Sequence, residues 1–164
     1  MISSTKEKVP LSVLFEQDET AWLELMSQMA AEGRFTEFDC PNLSEYLADM
    51  AKRDRREVSS RLVTLLTHLL KWEHQPDHRR GSWRGTILEQ RRELRKLLES
   101  GTLYNHALAI LAEAYGDALP QAAAETELPR ATFPVECAWD LEKLLADDEE
   151  GDAGSAASKD RAET

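Results

Sequence analysis

Leu62–Arg92 reads LVTLLTHLLKWEHQPDHRRGSWRGTILEQRR, and this stretch decides the fold class. Its apolar residues recur at helical spacing. Taken back to Val58, the series Val58, Leu62, Leu65, Leu66, Leu69 and Trp72 falls at i, i+4, i+7, i+8, i+11 and i+14. That is one stripe along about four turns of helix. Pro76 stops the helix, because the residue before a proline is pushed out of the α region. QPDHRRG is a polar connection. Ser82 caps a next helix that runs to about Ser100, with Trp83, Ile87, Leu94, Leu97 and Leu98 inward. Two striped helices joined by so short a link pack antiparallel.

The same signals continue outward. Asp18 caps a helix from Glu19 to Glu32 that carries Trp22, Leu25, Met26 and Met29 on one face, and Gly33 ends it. Asn42 caps a second helix with Leu43, Tyr46, Leu47 and Met50 on its apolar face. Asp54 followed by Glu57 resembles a capping box, so the striped third helix is expected to start afresh near Arg55 and end at His74. Gly101 closes the fourth helix. A fifth runs from Leu103 to Ala118 with Tyr104, Leu108, Leu111, Ala112 and Tyr115 facing inward. Pro120 then kinks it or starts a further helix. A short last helix spans about Ala138 to Ala146. No alternating strand pattern occurs.

The expectation is an all-α protein, a single compact helical bundle of about five to seven helices over residues 16–146. Residues 1–15 are expected to be weakly ordered, with Pro10 breaking any early helix. Residues 147–164 hold no large apolar side chain and are expected to form a disordered acidic tail. At 164 residues the chain matches one domain that needs no staple to fold. Neither a membrane-length apolar run nor a cleavable leader is visible. Cys40 and Cys137 make no disulfide framework, which points to a reducing, cytoplasmic setting.

Charge is unevenly spread. Residues 50–99 carry 13 basic and 7 acidic side chains, whereas the rest of the chain carries 7 and 24. A basic middle in an acidic chain meets either an anionic partner or the acidic remainder of the same molecule.

The candidate chemistry lies in that middle. Arg61, His68, Gln90 and Arg91 form a candidate polar cluster between the third and fourth helices, either setting helix register or lining a pocket. His68, at the edge of the apolar stripe, is a structural histidine or a general base. His74 and His78 are the weak metal candidates, with Pro76 between them; no HExxH or CxxC supports a metal, and no cofactor motif is present. Arg79, Arg80, Arg84, Arg91 and Arg95 form a candidate anion or nucleic-acid surface. Interleaved Glu89 and Glu93 equally suit a solvated helix face. With no GxSxG, P-loop or GxGxxG, a non-catalytic interaction protein with a protein partner ranks first. Nucleic-acid association through residues 79–96 ranks second, and a hydrolase or nuclease around His68, His74 or His78 third. Oligomeric state is not legible.

Several motifs in order resemble a bacterial family known only as domain of unknown function number twenty-nine. They include Arg61-Leu62, the run Leu65-Leu66-Thr67-His68-Leu69-Leu70-Lys71-Trp72, Gln75-Pro76 and Ser82-Trp83-Arg84. The Trp22 helix, Asn42-Leu43, Glu89-Gln90-Arg91, Ala114-Tyr115, Ala123-Ala124-Glu125-Thr126 and Phe133-Pro134 before Glu136-Cys137 complete them. The resemblance implies a helical bundle and no reaction, cofactor or partner. Glu127 stands where the family usually has a glycine, which implies a less sharp turn there.

Overall fold

A computed structural model describes residues 9–146. Among these residues there are six α-helices and no strand: α1 Leu11–Gln17, α2 Glu19–Ala31, α3 Cys40–His74, α4 Gly81–Leu97, α5 Gly101–Thr126 and α6 Leu141–Leu145. The all-α class and the helix number agree with the sequence reading. The expected tail over 147–164 lies outside the described residues, as do residues 1–8. The chain divides into two compact units, one reaching Arg53 and one starting at Asp54.

In the first unit, Pro10 precedes a helix instead of preventing one. Its fixed φ and missing N–H cost nothing just ahead of the first turn, and α1 follows at once. Asp18 accepts from the Ala21 amide at 3.0 Å, the cap expected for α2. Gly33, at φ 71°, turns the chain out of that helix, and the Arg34 amide reaches back to the Met29 carbonyl. Trp22, fully buried, anchors the small core with Met26 and Met29. Its ring meets Phe15 edge-on at 4.8 Å, and its indole N–H donates to Asp39. Asn42 is not the cap of the next helix. α3 begins at Cys40, and the Asn42 amide donates to Asp39 at 2.7 Å, so Asp39 ties the helix start to Trp22.

The expected restart near Arg55 does not occur, because α3 is continuous from Cys40 to His74. Its one proline, Pro41, sits in the first turn where it is tolerated, no glycine lies within it, and Glu57 is taken by Arg61 one turn later at 2.9 and 2.8 Å instead of capping a new start.

In the second unit, Val58, Leu62, Leu65, Leu66 and Leu69 are buried as the stripe requires. Thr67, Leu70 and Lys71 are buried as well, so this half of α3 is enclosed on more than one face. Arg61 meets Gln90, and Lys71 meets Trp83, which makes α4 antiparallel to α3.

α5 corrects two expectations. It continues past the expected end at Ala118, through Pro120 to Thr126, so Pro120 starts no further helix. The carbonyl that faces the proline ring, four residues back, belongs to Gly116, and Ala118, Leu119 and Ala122 are buried around it. Its inward face is only partly the expected one, since Tyr115 is buried and Tyr104 and Leu111 pack against the core but Leu108 and Ala112 do not. Ala107, Ala114, Ala118 and Ala122 are buried together with Tyr115, while Leu108 is 49 % exposed. Close approach of neighbouring helices favours small residues at the contact, and Leu108 falls to the flank while Leu119 stays buried.

Candidate functional site

The residues that draw together most tightly lie where the ends of α3 and α5 meet the start of α4. Lys71 is 4 % exposed. Its ammonium pairs with the Glu125 carboxylate and stands 4.5 Å above the centre of the Trp83 ring. One turn on, the Gln75 amide donates to the Thr126 carbonyl at 2.8 Å. The Thr126 hydroxyl donates back to Ala122 at 2.7 Å. Glu127 then leaves the helix at φ 58° and ψ 17°. The left-handed turn therefore survives without glycine, against the expectation of a gentler bend. His74 stacks edge-on against Phe133 at 5.1 Å between ring centres. The Arg79 guanidinium covers Trp72 and donates to its carbonyl at 2.8 Å.

Of the polar cluster expected from sequence, Arg61 and Gln90 are joined at 3.1 Å. His68 is not bonded to either. Its Nδ1 lies 2.9 Å from the Thr64 carbonyl. A carbonyl only accepts, so Nδ1 carries the proton and the ring is anchored to its own helix. Arg91 lies elsewhere, 3 % exposed, and its Nε donates at 2.8 Å to the Leu144 carbonyl at the end of α6. Arg80, Arg84 and Arg95 are exposed; Arg79 is held by Trp72 and Arg91 by α6. His74 ends α3 and His78 sits in the short 3-10 turn Pro76–His78, so the two do not share a helix. Among the described residues, no three His, Cys, Asp or Glu side chains are placed to hold a metal ion together.

Beside this cluster, α5 and residues 135–139 enclose a groove of about 530 Å³. Leu108, Leu111, Ala112 and Tyr115 line its helical wall, and Val135, Glu136, Cys137 and Trp139 the other. The Tyr115 hydroxyl donates to the Pro134 carbonyl at 2.8 Å and fixes the start of the second wall. Val135 is 92 % exposed. Burial pushes the Cys137 thiol above its ordinary range, against a weaker pull from its bond to the Trp139 carbonyl. It is therefore a protonated, sluggish nucleophile near neutral pH. The Tyr115 phenol is raised too, by burial first and then by Cys137 and Glu73. The groove is thus lined by apolar side chains together with one carboxylate, one thiol and one phenol.

Sequence reasoning missed the Lys71–Glu125–Trp83 assembly. One signal was available: a lysine directly after Leu69-Leu70 in a dense apolar run. Its partner is 54 residues away, beyond the reach of any local pattern. One family model, described as domain of unknown function DUF29, matches residues 14–149. No curated protein matches the chain, and no solved structure does.

Proposed function

We propose, on the premise that this chain belongs to the family of domain of unknown function DUF29, that it is a non-catalytic cytoplasmic interaction protein. Its partner is a protein that seats apolar side chains in the α5 groove. The observation that carries this reading is the groove itself. It holds Leu108 and Val135 out in water beside Leu111, Tyr115 and Trp139, and covering such side chains with a partner's apolar groups is favourable. The engagement of Lys71, Arg61 and Arg91 in bonds between helices supports it, as does the bond that holds His68 to its own helix. No helix among the described residues is long and apolar enough to cross a membrane.

A photo-crosslinking residue in place of Val135 tests the reading. In cells it should yield a discrete protein adduct that disappears when Leu108 is also changed to Asp. Absence of any discrete adduct, or adducts indifferent to Leu108→Asp, refutes it.

A second reading, nucleic-acid association through α4, is favoured by the exposure of Arg80, Arg84 and Arg95. Fluorescence anisotropy with labelled oligonucleotides at low and near-physiological salt decides it. Binding through these side chains weakens steeply with salt and is lost in Arg84→Ala/Arg95→Ala. No binding at low salt removes the reading.

A further inference from the structure

The outer face of α4 carries arginines and no carboxylate. Leu88 is 46 % exposed at its centre. At about 100° per residue, the positions of α4 within about 60° of Leu88 are Gly81, Arg84, Gly85, Arg91, Arg92 and Arg95. None is acidic, and all but Arg91 are exposed. Glu93 lies off this face, 25 % exposed, and is occupied by Arg92 at 2.9 Å and Lys96 at 3.0 Å. Those bonds hold its carboxyl below the usual range, Lys96 contributing most. Arg92 bonds Glu93 through Nε, one of its five donors.

What the chain brings to this face is set by α6. The buried Arg91 guanidinium donates to the Leu144 carbonyl, which pins the end of α6 beside the middle of α4. The described chain ends two residues later, at Ala146. The sequence continues Asp147-Asp148-Glu149-Glu150-Gly151-Asp152, five carboxylates in six residues. Six extended residues span about 20 Å at roughly 3.3 Å each. Arg84 to Arg95 along α4 is about 16 Å at 1.5 Å per residue. The described chain therefore ends close to α4, and the acidic sequence that follows it is long enough to traverse the arginine face and has the opposite charge. A composition too polar to fold alone does not oppose such docking, which needs no buried core.

We infer that the outer face of α4 is a docking surface for anionic peptide and that its resident occupant is the chain's own acidic segment 147–152. Carboxylates of the segment engage Arg84, Arg92 and Arg95, and the segment screens the basic face from external polyanions.

The test uses the full-length chain and reads both sides of the contact by nuclear magnetic resonance. In Asp147→Asn/Asp148→Asn/Glu149→Gln/Glu150→Gln, the arginine Nε–Hε signals of α4 should shift. In Arg84→Gln/Arg92→Gln, the backbone amides of 147–152 should shift in return. Both sets of shifts should shrink as salt is raised. Arg84 and Arg92 are exposed, so the arginine variant removes no buried group. Shifts confined to the neighbours of each substituted residue overturn the inference. Shifts in wild type that grow with protein concentration also overturn it, because they assign the face to a second copy.

Discussion

Glu127 is the one described residue other than glycine with positive φ, and it offers a sharp test of the physics at the end of α5. A left-handed backbone costs an L-residue about 1 kcal/mol or slightly more. Glycine escapes that cost but loses roughly 0.5 kcal/mol through its greater freedom in the unfolded chain. The Glu127 side chain is exposed and forms none of the bonds that hold the turn, so nothing else is lost with it. Glu127→Gly should therefore raise stability by about 0.5–1 kcal/mol, or roughly 2 °C in Tm for a chain of this size. Glu127→Ala keeps the strain and should change stability by no more than about 0.3 kcal/mol. Urea unfolding followed by circular dichroism, with the slope checked for constancy, measures both. If glycine and alanine behave alike, the left-handed turn does not carry the assigned strain and the reasoning fails.

Other expectations follow from the same structure. Lys71→Met should cost about 1 kcal/mol, since the methionine stem refills the space and the half-exposed Glu125 regains water. Glu125→Leu should cost more, about 3 kcal/mol, because it leaves an ammonium that is 4 % exposed with no carboxylate; equal costs in urea melts would refute the asymmetry. Pro120→Ala should stabilise α5 by about 1–3 kcal/mol by restoring an amide to the Gly116 carbonyl, read as increased hydrogen-exchange protection around residue 120. Alkylation of Cys137 should trail that of the exposed Cys40, and its rate should rise at higher pH than for a free thiol. The sign for stability follows. The folded chain keeps the Cys137 proton where the unfolded chain releases it, so stability falls as pH climbs from the ordinary thiol range toward the raised value. Melting temperatures that stay level across that range in wild type, or fall equally in Cys137→Ser, would contradict it.

Legibility followed the range of the forces involved. Asp18, Gly33 and Pro76 act on the backbone within a turn of themselves, and the helix ends they signal are where α2 and α3 stop or start. Asp54-x-x-Glu57 is the same kind of local signal and was outvoted, because Glu57 had Arg61 within one turn and the helix had no cause to end. For α5 the helix itself was legible and its phase was not. Both Leu108–Tyr115 and Ala107–Ala122 fit helical spacing, and which face turns inward depends on how closely other helices approach.

The sequence alone determined that the chain is helical, that α3 carries a leucine stripe and that charge is concentrated around α4, because these follow from periodicity, caps and composition. Only the tertiary structure decided that Lys71 is buried against Glu125, that Arg91 reaches across to Leu144 and that Leu108 faces a groove. The two bonds join residues 54 and 53 positions apart. Burial is a property of what packs around a side chain, and for these residues the neighbours come from distant parts of the chain.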